Sequence, residues 1–262
     1  FSSDSPATDV GQLTQGRYDA AGISSTLALY TAGGHPSTDR IDKMPFSSEG
    51  AGTDVGNLSV GRVGPSGHMS DVSGYAAGGS SIDTIEKFPF ASDGNTTDVG
   101  EMLVSGGRGA AITSIESGYR AGGQLPSTPD DSQIEKFPFS SDSNSTDVGE
   151  LFVGVGAGVA GQNSKTHGYA SGGLKGPPYA RVSCIQKFPF ASDSPASDIA
   201  SLTINRRAGA GSSSTVSGYT AGGQQWPAIC NTIDKFPFAS DSSASDVGDL
   251  TAGKYGMSGH QV

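Results

Sequence analysis

Apolar and polar residues alternate along this chain in short runs, and nothing in it sustains the three-to-four spacing of an amphipathic helix. In Ile85-Glu86-Lys87-Phe88-Pro89-Phe90, one face carries Ile85, Lys87 and Pro89 and the other carries Glu86, Phe88 and Phe90, the period of two that marks a strand. Ser73–Gly79 reads as a compact strand ending in a glycine pair. Val63–Val72 contains a short strand before it, and Asp98–Leu103 leads into a fourth. Gly, Pro, Ser and Asp bound each run, as they bound strands, and each run is too short for a stable helix. The pattern predicts an all-β chain with four strands per unit. Pro89 removes a ladder donor, which places the third strand toward the outside of its sheet.

The unit recurs almost word for word. Lys-Phe-Pro-Phe begins at Lys87, Lys136, Lys187 and Lys235, with Lys43–Phe46 as a Met-bearing version, so successive copies lie 44 to 51 residues apart. Asp-Val-Gly begins at Asp9, Asp54, Asp98, Asp147 and Asp246, and Asp198-Ile199-Ala200 is a diverged copy. Aromatic-x-x-Gly-Gly spans Tyr30–Gly34, Tyr75–Gly79, Tyr119–Gly123, Tyr169–Gly173 and Tyr219–Gly223. Periods of this size mean stacked supersecondary units. One β-propeller domain over residues 1–262 follows, with units near 17–61, 62–107, 108–154, 155–205 and 206–250 and partial units at 1–16 and 251–262. Five repeats are complete. Both flanks keep consensus residues that pack inside a blade, which favours six blade positions over five. The chain opens without Met in the middle of a repeat, as a processed piece or an excised portion of something longer would.

Forty glycines in 262 residues also suit a flexible linker, but a linker has no reason to hold aromatic and Val/Leu positions in register. The net charge of −10 with no basic run argues against an electrostatic nucleic-acid footprint. No apolar stretch suits membrane insertion, and no signal peptide is visible.

Gly78-Gly79, Phe88 and Phe90, Val99 with Met102 and Leu103, and the basic Arg108 follow one another as they do in the kelch family, which the chain resembles. The basic position recurs as Arg17, Arg62, Arg206 and Lys254, each eight residues after its repeat's Asp, while the fourth repeat has Val155. Val10, Val55, Val99, Val148, Ile199 and Val247 replace the family's usual Trp, and Lys-Phe-Pro-Phe is no general kelch signature. The combined wording resembles repeat-bearing virion proteins of bacteriophages, marine cyanobacterial phages above all. That resemblance implies a virion location and a non-enzymatic module of a tail fibre or capsid accessory protein. Its implied partners are other virion proteins and a host-surface glycan or receptor. A purely structural spacer or decoration protein is the competing class, and a glycan-processing hydrolase on a propeller scaffold a lesser one.

Paired aspartates (Asp4/Asp9, Asp93/Asp98, Asp142/Asp147, Asp193/Asp198, Asp241/Asp246) suit either a calcium loop or turn capping and pairing with Lys/Arg, and the second is the reading adopted. The same segment lacks the terminal Gly-x-Thr-Trp of a sialidase Asp-box. His35, His68, His167 and His260 sit at different repeat positions and build no metal site by symmetry, and no catalytic set or cofactor motif stands out. Cys184 and Cys230 occupy corresponding segments, open to a disulfide or to two free thiols. The segments after each Gly-Gly pair vary in length and sequence while their flanks barely change. In a propeller such loops share one face. Trp226, Tyr179, Arg181 and Lys175 lie in them and are the candidate binding residues, aromatic anchors beside polar groups.

Overall fold

The computed structural model describes residues 4–125 and 131–260, and every regular element among them is a β-strand. The first blade consists of β1 (Ala21–Ser24), β2 (Ala28–Ala32), β3 (Thr38–Pro45) and β4 (Thr53–Arg62). The second consists of β5 (Ser66–Met69), β6 (Ser73–Ala77), β7 (Thr84–Pro89) and β8 (Thr97–Glu101), and the third of β9 (Ala110–Thr113), β10 (Ser117–Ala121), β11 (Gln133–Pro138) and β12 (Thr146–Glu150). The fourth contains β13 (Ala160–Asn163), β14 (His167–Ser171), β15 (Cys184–Pro189) and β16 (Ser197–Ser201). The fifth contains β17 (Ala210–Ser213), β18 (Ser217–Ala221), β21 (Thr232–Pro237) and β22 (Ser245–Asp249), with a small hairpin, β19 (Gln224–Gln225) and β20 (Ala228–Ile229), inserted between its second and third strands. Each blade is a four-stranded antiparallel sheet in chain order, and together they form a five-blade β-propeller.

Proline does not put the third strand at the rim of its sheet. β7 lies between β6 and β8. The β7–β8 ladder ends at Lys87↔Thr97, so Pro89 sits beyond it, facing only Ser73 on the other side, where a missing donor costs nothing.

A collar of backbone hydrogen bonds closes the ring. Asp19, Gly64, Arg108, Gly158, Ala208 and Gly256 all have left-handed φ, between 52° and 70°. Each of the last five donates its N–H to the carbonyl of the one before it at 2.7 to 2.9 Å, and Asp19 N–H returns to Gly256 at 2.6 Å. Gly256 comes from the C-terminal flank. After it, Gly259 wedges between Gly211 of β17 and Gly22 of β1, so close that a Cβ on it would strike the Gly211 carbonyl. The N-terminal flank runs along the outside of the same seam. Ala7 N–H donates to Asp249 as Ala244 does to Ser201, and Lys235 reaches Asp4 at 2.9 Å as Lys187 reaches Asp241. Of the six positions expected, five are built as blades: the flanks at the seam take a sixth place in the collar but form no sheet of their own among the described residues.

Aromatic rings glue neighbouring blades. Tyr75 packs on Phe137 and stacks on Phe139 of the next blade, with centroids 5.8 and 4.8 Å apart, and Tyr119 and Tyr169 repeat this against Phe188/Phe190 and Phe236/Phe238. Each of those tyrosines and the Phe88, Phe137, Phe188 and Phe236 rings are buried, while Tyr219 is half-buried. The Gly of Gly-Tyr exists for the Phe: a Cβ on Gly118 would lie 2.5 Å from the Phe137 ring. The glycine pairs have positive φ throughout, and a Cβ on Gly78 would lie 2.8 Å from the Gly106 carbonyl.

The basic repeat position forms ion pairs buried between blades: Arg17 with Asp42 at 3.2 Å, Arg62 with Glu86, and Arg206 with Asp234. Arg108 does not belong to this series. Gly106 stands eight residues after Asp98, so the third repeat has no side chain there, and Arg120 on β10 supplies the guanidinium to Glu135 instead. Lys254 differs too, for it is exposed.

Candidate functional site

The paired aspartates split their duties. The first of each pair (Asp93, Asp142, Asp193, Asp241, Asp4) takes the lysine of the preceding blade at 2.9 to 3.3 Å. Asp9, Asp98, Asp147 and Asp246, second in their pairs, accept the N–H two residues on, as Asp98 does from Gly100 at 3.1 Å and Asp147 from Gly149 at 3.0 Å. Both roles are the turn and pairing chemistry that the spacing suggested. Cys184 and Cys230 are free and buried, and burial pushes the Cys184 thiol up to about 11. A thiol so protonated is a poor nucleophile.

The residue that follows each glycine pair turns back onto the collar. Single antiparallel bridges join Tyr18 to His35, Gly107 to Gln124, Ala157 to Leu174 and Arg207 to Gln224. These bridges fold the variable segments over one end of the ring, where they frame a cavity of about 600 Å³ lined by Tyr18, Arg108, Gln124, Tyr179, Arg207 and Tyr255 among others. This volume lies within the range of small-molecule sites. Residues 126–130 of the Gln124–Gln133 loop lie outside the described residues.

Charge gathers here in a chain that is acidic overall. Arg108 donates from Nε to Asp19 at 2.8 Å and from Nη1 to Gln124 Oε1 at 2.7 Å. Arg207 donates from Nε to Gln224 Oε1 at 3.0 Å. Burial holds the Arg207 guanidinium below its ordinary value, and the like charges of Arg181 and Arg108 push the same way, opposed by Asp19 and Tyr255. Arg207 thus feels two further arginines, one of which, Arg108, lines the same opening. Tyr18 stands 6.0 Å from Tyr255 and 4.8 Å from His35, ring to ring. Three collar positions, against Gly64, Gly158 and Gly256 in the others, carry non-glycine residues in the left-handed conformation, Asp19, Arg108 and Ala208, a strain that such residues adopt rarely.

Of the sequence-derived candidates, Tyr179 lines the cavity, 59% exposed and itself left-handed. Arg181 acts on Arg207 from the strand-like bridge Leu174↔Arg181. Lys175 is exposed but is not among the lining residues. Trp226 sits at the turn of the β19–β20 hairpin, 69% exposed, and does not line the cavity either. Sequence reading missed Arg108 as a site residue, along with Arg207, Asp19, Tyr18 and Tyr255. The available signal was Arg207 itself, a second arginine directly after the buried Arg206.

No protein-family model matches the chain, and no curated protein does. In shape it matches 563 solved chains. One, described as "Structure of YjhT", superposes with a TM-score of 0.79 at 13% identity, covering 94% of this chain and 88% of that one. At that identity the likeness is one of fold, and the fold it shows is the β-propeller.

Proposed function

We propose that this chain is a non-enzymatic module of a bacteriophage virion, in a tail fibre or capsid accessory protein, whose loop-bearing end binds an anionic group on a host-surface glycan or protein. The observation that carries this reading is the cavity where Arg108 and Arg207, with Arg181 acting on Arg207, meet Tyr18, Tyr179 and Tyr255. Guanidinium forks recognise carboxylate, sulfate or phosphate oxygens, and tyrosine faces stack on sugar rings or anchor a protein loop. Its partners on this reading are other virion proteins and the host receptor, without nucleic acid or membrane insertion. The virion setting rests on the resemblance of the repeat wording.

The test is adsorption of the isolated chain to host cells and to an array of acidic and neutral glycans. Arg207→Glu and Tyr179→Ala should each weaken binding roughly thirtyfold or more, the scale of a hot-spot residue, with thermal unfolding unchanged. Trp226→Ala should leave it within about threefold if the cavity and not the hairpin tip is the site. A spacer role has its own support in the closed collar and the repeated Lys–Asp pairs, which make a rigid ring without any ligand. Binding that ignores Arg207→Glu and Tyr179→Ala would favour it.

A further inference from the structure

We propose that the seam between the fifth and first blades is a slot completed by a β-hairpin that carries this repeat's own strand pattern. At the seam the C-terminal flank holds the place of an innermost strand and the N-terminal flank that of an outermost one. Ser258-Gly259-His260 matches Ser66-Gly67-His68 of β5, down to His260 Nδ1 at 3.2 Å from the Ile23 carbonyl and His68 Nδ1 at 3.1 Å from that of Ile112. No described strand lies between the flanks, where every blade has its second and third strands.

The groups bordering this gap are those that a second and third strand satisfy elsewhere. Arg62 and Arg206 each reach a carboxylate on the third strand of the next blade, but Lys254, their counterpart at the seam, is exposed and makes no ion pair among the described residues. Asp93, Asp142, Asp193 and Asp241 each receive a lysine from the third strand of the blade before, and Asp4 receives Lys235. Glu49, their counterpart in the first blade, is exposed and receives none among the described residues. Phe90 and Phe139 stack on the tyrosine of the preceding blade's second strand. Phe46, in their place, is 46% exposed. Val10 is 54% exposed where Val148 is buried.

Taken together, these groups specify the occupant. Its second strand brings Gly-Tyr, the tyrosine against Phe46. Its third brings a carboxylate for Lys254 followed directly by a lysine for Glu49, the Glu-Lys-Phe-Pro order of β7. Adjacent residues on one strand point to opposite faces, so one hairpin meets both charges. Strand addition of this kind gains main-chain hydrogen bonds along both new ladders, with side-chain pockets setting specificity.

A synthetic peptide with the sequence of residues 71–92, mixed with the 262-residue chain, should bind one to one, raise Tm, and slow amide exchange in residues 4–14 and 256–260. Lys254→Glu should weaken binding tenfold or more, on the order expected when one partner of a desolvated charge pair is lost, and the peptide variant Glu86→Lys should restore it. A second form of the experiment appends the same hairpin after Val262, where it should raise Tm. The proposal is overturned if neither peptide nor appended hairpin changes Tm or exchange, or if charge reversal has no effect. It is equally overturned if the unmodified chain self-associates with protection of these same residues, which would give the face to a second copy.

Discussion

Arg62 crosses from the first blade to Glu86 in the second, where both side chains are fully buried; in the equivalent space of the fourth blade stand Val155 and Gln186. The third blade differs again, with Gly106 at the basic position and Arg120 reaching Glu135 from β10. Three blades with one backbone thus hold the same junction with a charged pair, a relocated charged pair and an uncharged pair. Gln186 keeps the polar duty of its counterparts, accepting Val153 N–H at 2.7 Å as Glu86 accepts Ser59 N–H at 2.8 Å. What each junction requires is an acceptor for that N–H and a balance of charge, and the source of the balance is free to vary. A buried ion pair is costly to break and often replaceable as a whole.

That comparison breaks most sharply in the second blade. Glu86→Ala strands the Arg62 guanidinium among carbonyls and should cost about 3–5 kcal/mol. The double variant Arg62→Val with Glu86→Gln, which copies the fourth blade, should recover most of that loss. Urea unfolding midpoints of the three proteins settle the matter, and a double variant as unstable as the single would show that the fourth blade is balanced by something else.

A second difference between blades sits on the innermost strands. Where β1 and β9 carry Ile23 and Ile112, β5 carries His68, fully buried with its ring edge-on to Phe137 at 5.1 Å. Its ring N–H donates to the Ile112 carbonyl, which leaves Nε2 without a partner among apolar neighbours. Burial lowers its pKa to about 4, with the charge of Arg120 adding to the effect. The folded chain therefore binds fewer protons here than the unfolded one between about pH 6.5 and pH 4. Stability is full above the unfolded value and falls as pH drops through this window, by about 3 kcal/mol once below both. His68→Gln should flatten that part of the stability-against-pH curve relative to the parent. A curve of unchanged slope would mean that His260, whose pKa burial likewise lowers to about 4, or the carboxylates carry the whole effect.

Such contrasts also show where the sequence was readable. Gly-Tyr, Gly-Gly and Lys-Phe-Pro-Phe disclose the blades because each is a packing necessity: a glycine under a phenylalanine ring, a left-handed turn, a ring between blades. The collar is different. Asp19, Gly64, Arg108, Gly158, Ala208 and Gly256 share a backbone conformation and no side chain, so their equivalence is invisible in the sequence. Arg108 therefore reads as the basic position of its repeat, although its register, ten residues after Asp98 rather than eight, places it two positions further on. Trp226 stands out as the lone Trp, whereas the cavity is built by Arg207 and by Tyr18 and Tyr255, which precede inner-strand positions, with Tyr179 beside them. Composition points to rare residues, whereas the site is made by repeat positions that break symmetry.

The smallest effect separates strain from charge at the collar. Arg108 holds a left-handed φ of 63° where the neighbouring positions Gly64 and Gly158 pay no steric penalty, and its ion pair with Asp19 is partly open to solvent. Such a pair contributes up to about 1 kcal/mol, and a left-handed non-glycine residue costs about 1–2 kcal/mol, so the two nearly cancel. Arg108→Ala removes the pair and keeps the strain, whereas Arg108→Gly removes both. The glycine variant should accordingly be more stable than the alanine variant by about 1 kcal/mol, and close to the parent, while both lose affinity for an anionic ligand alike. Paired unfolding and binding measurements on the two variants read the terms separately. If alanine proved the more stable, Arg108 would be under no strain, and its place at the mouth would call for no explanation from binding.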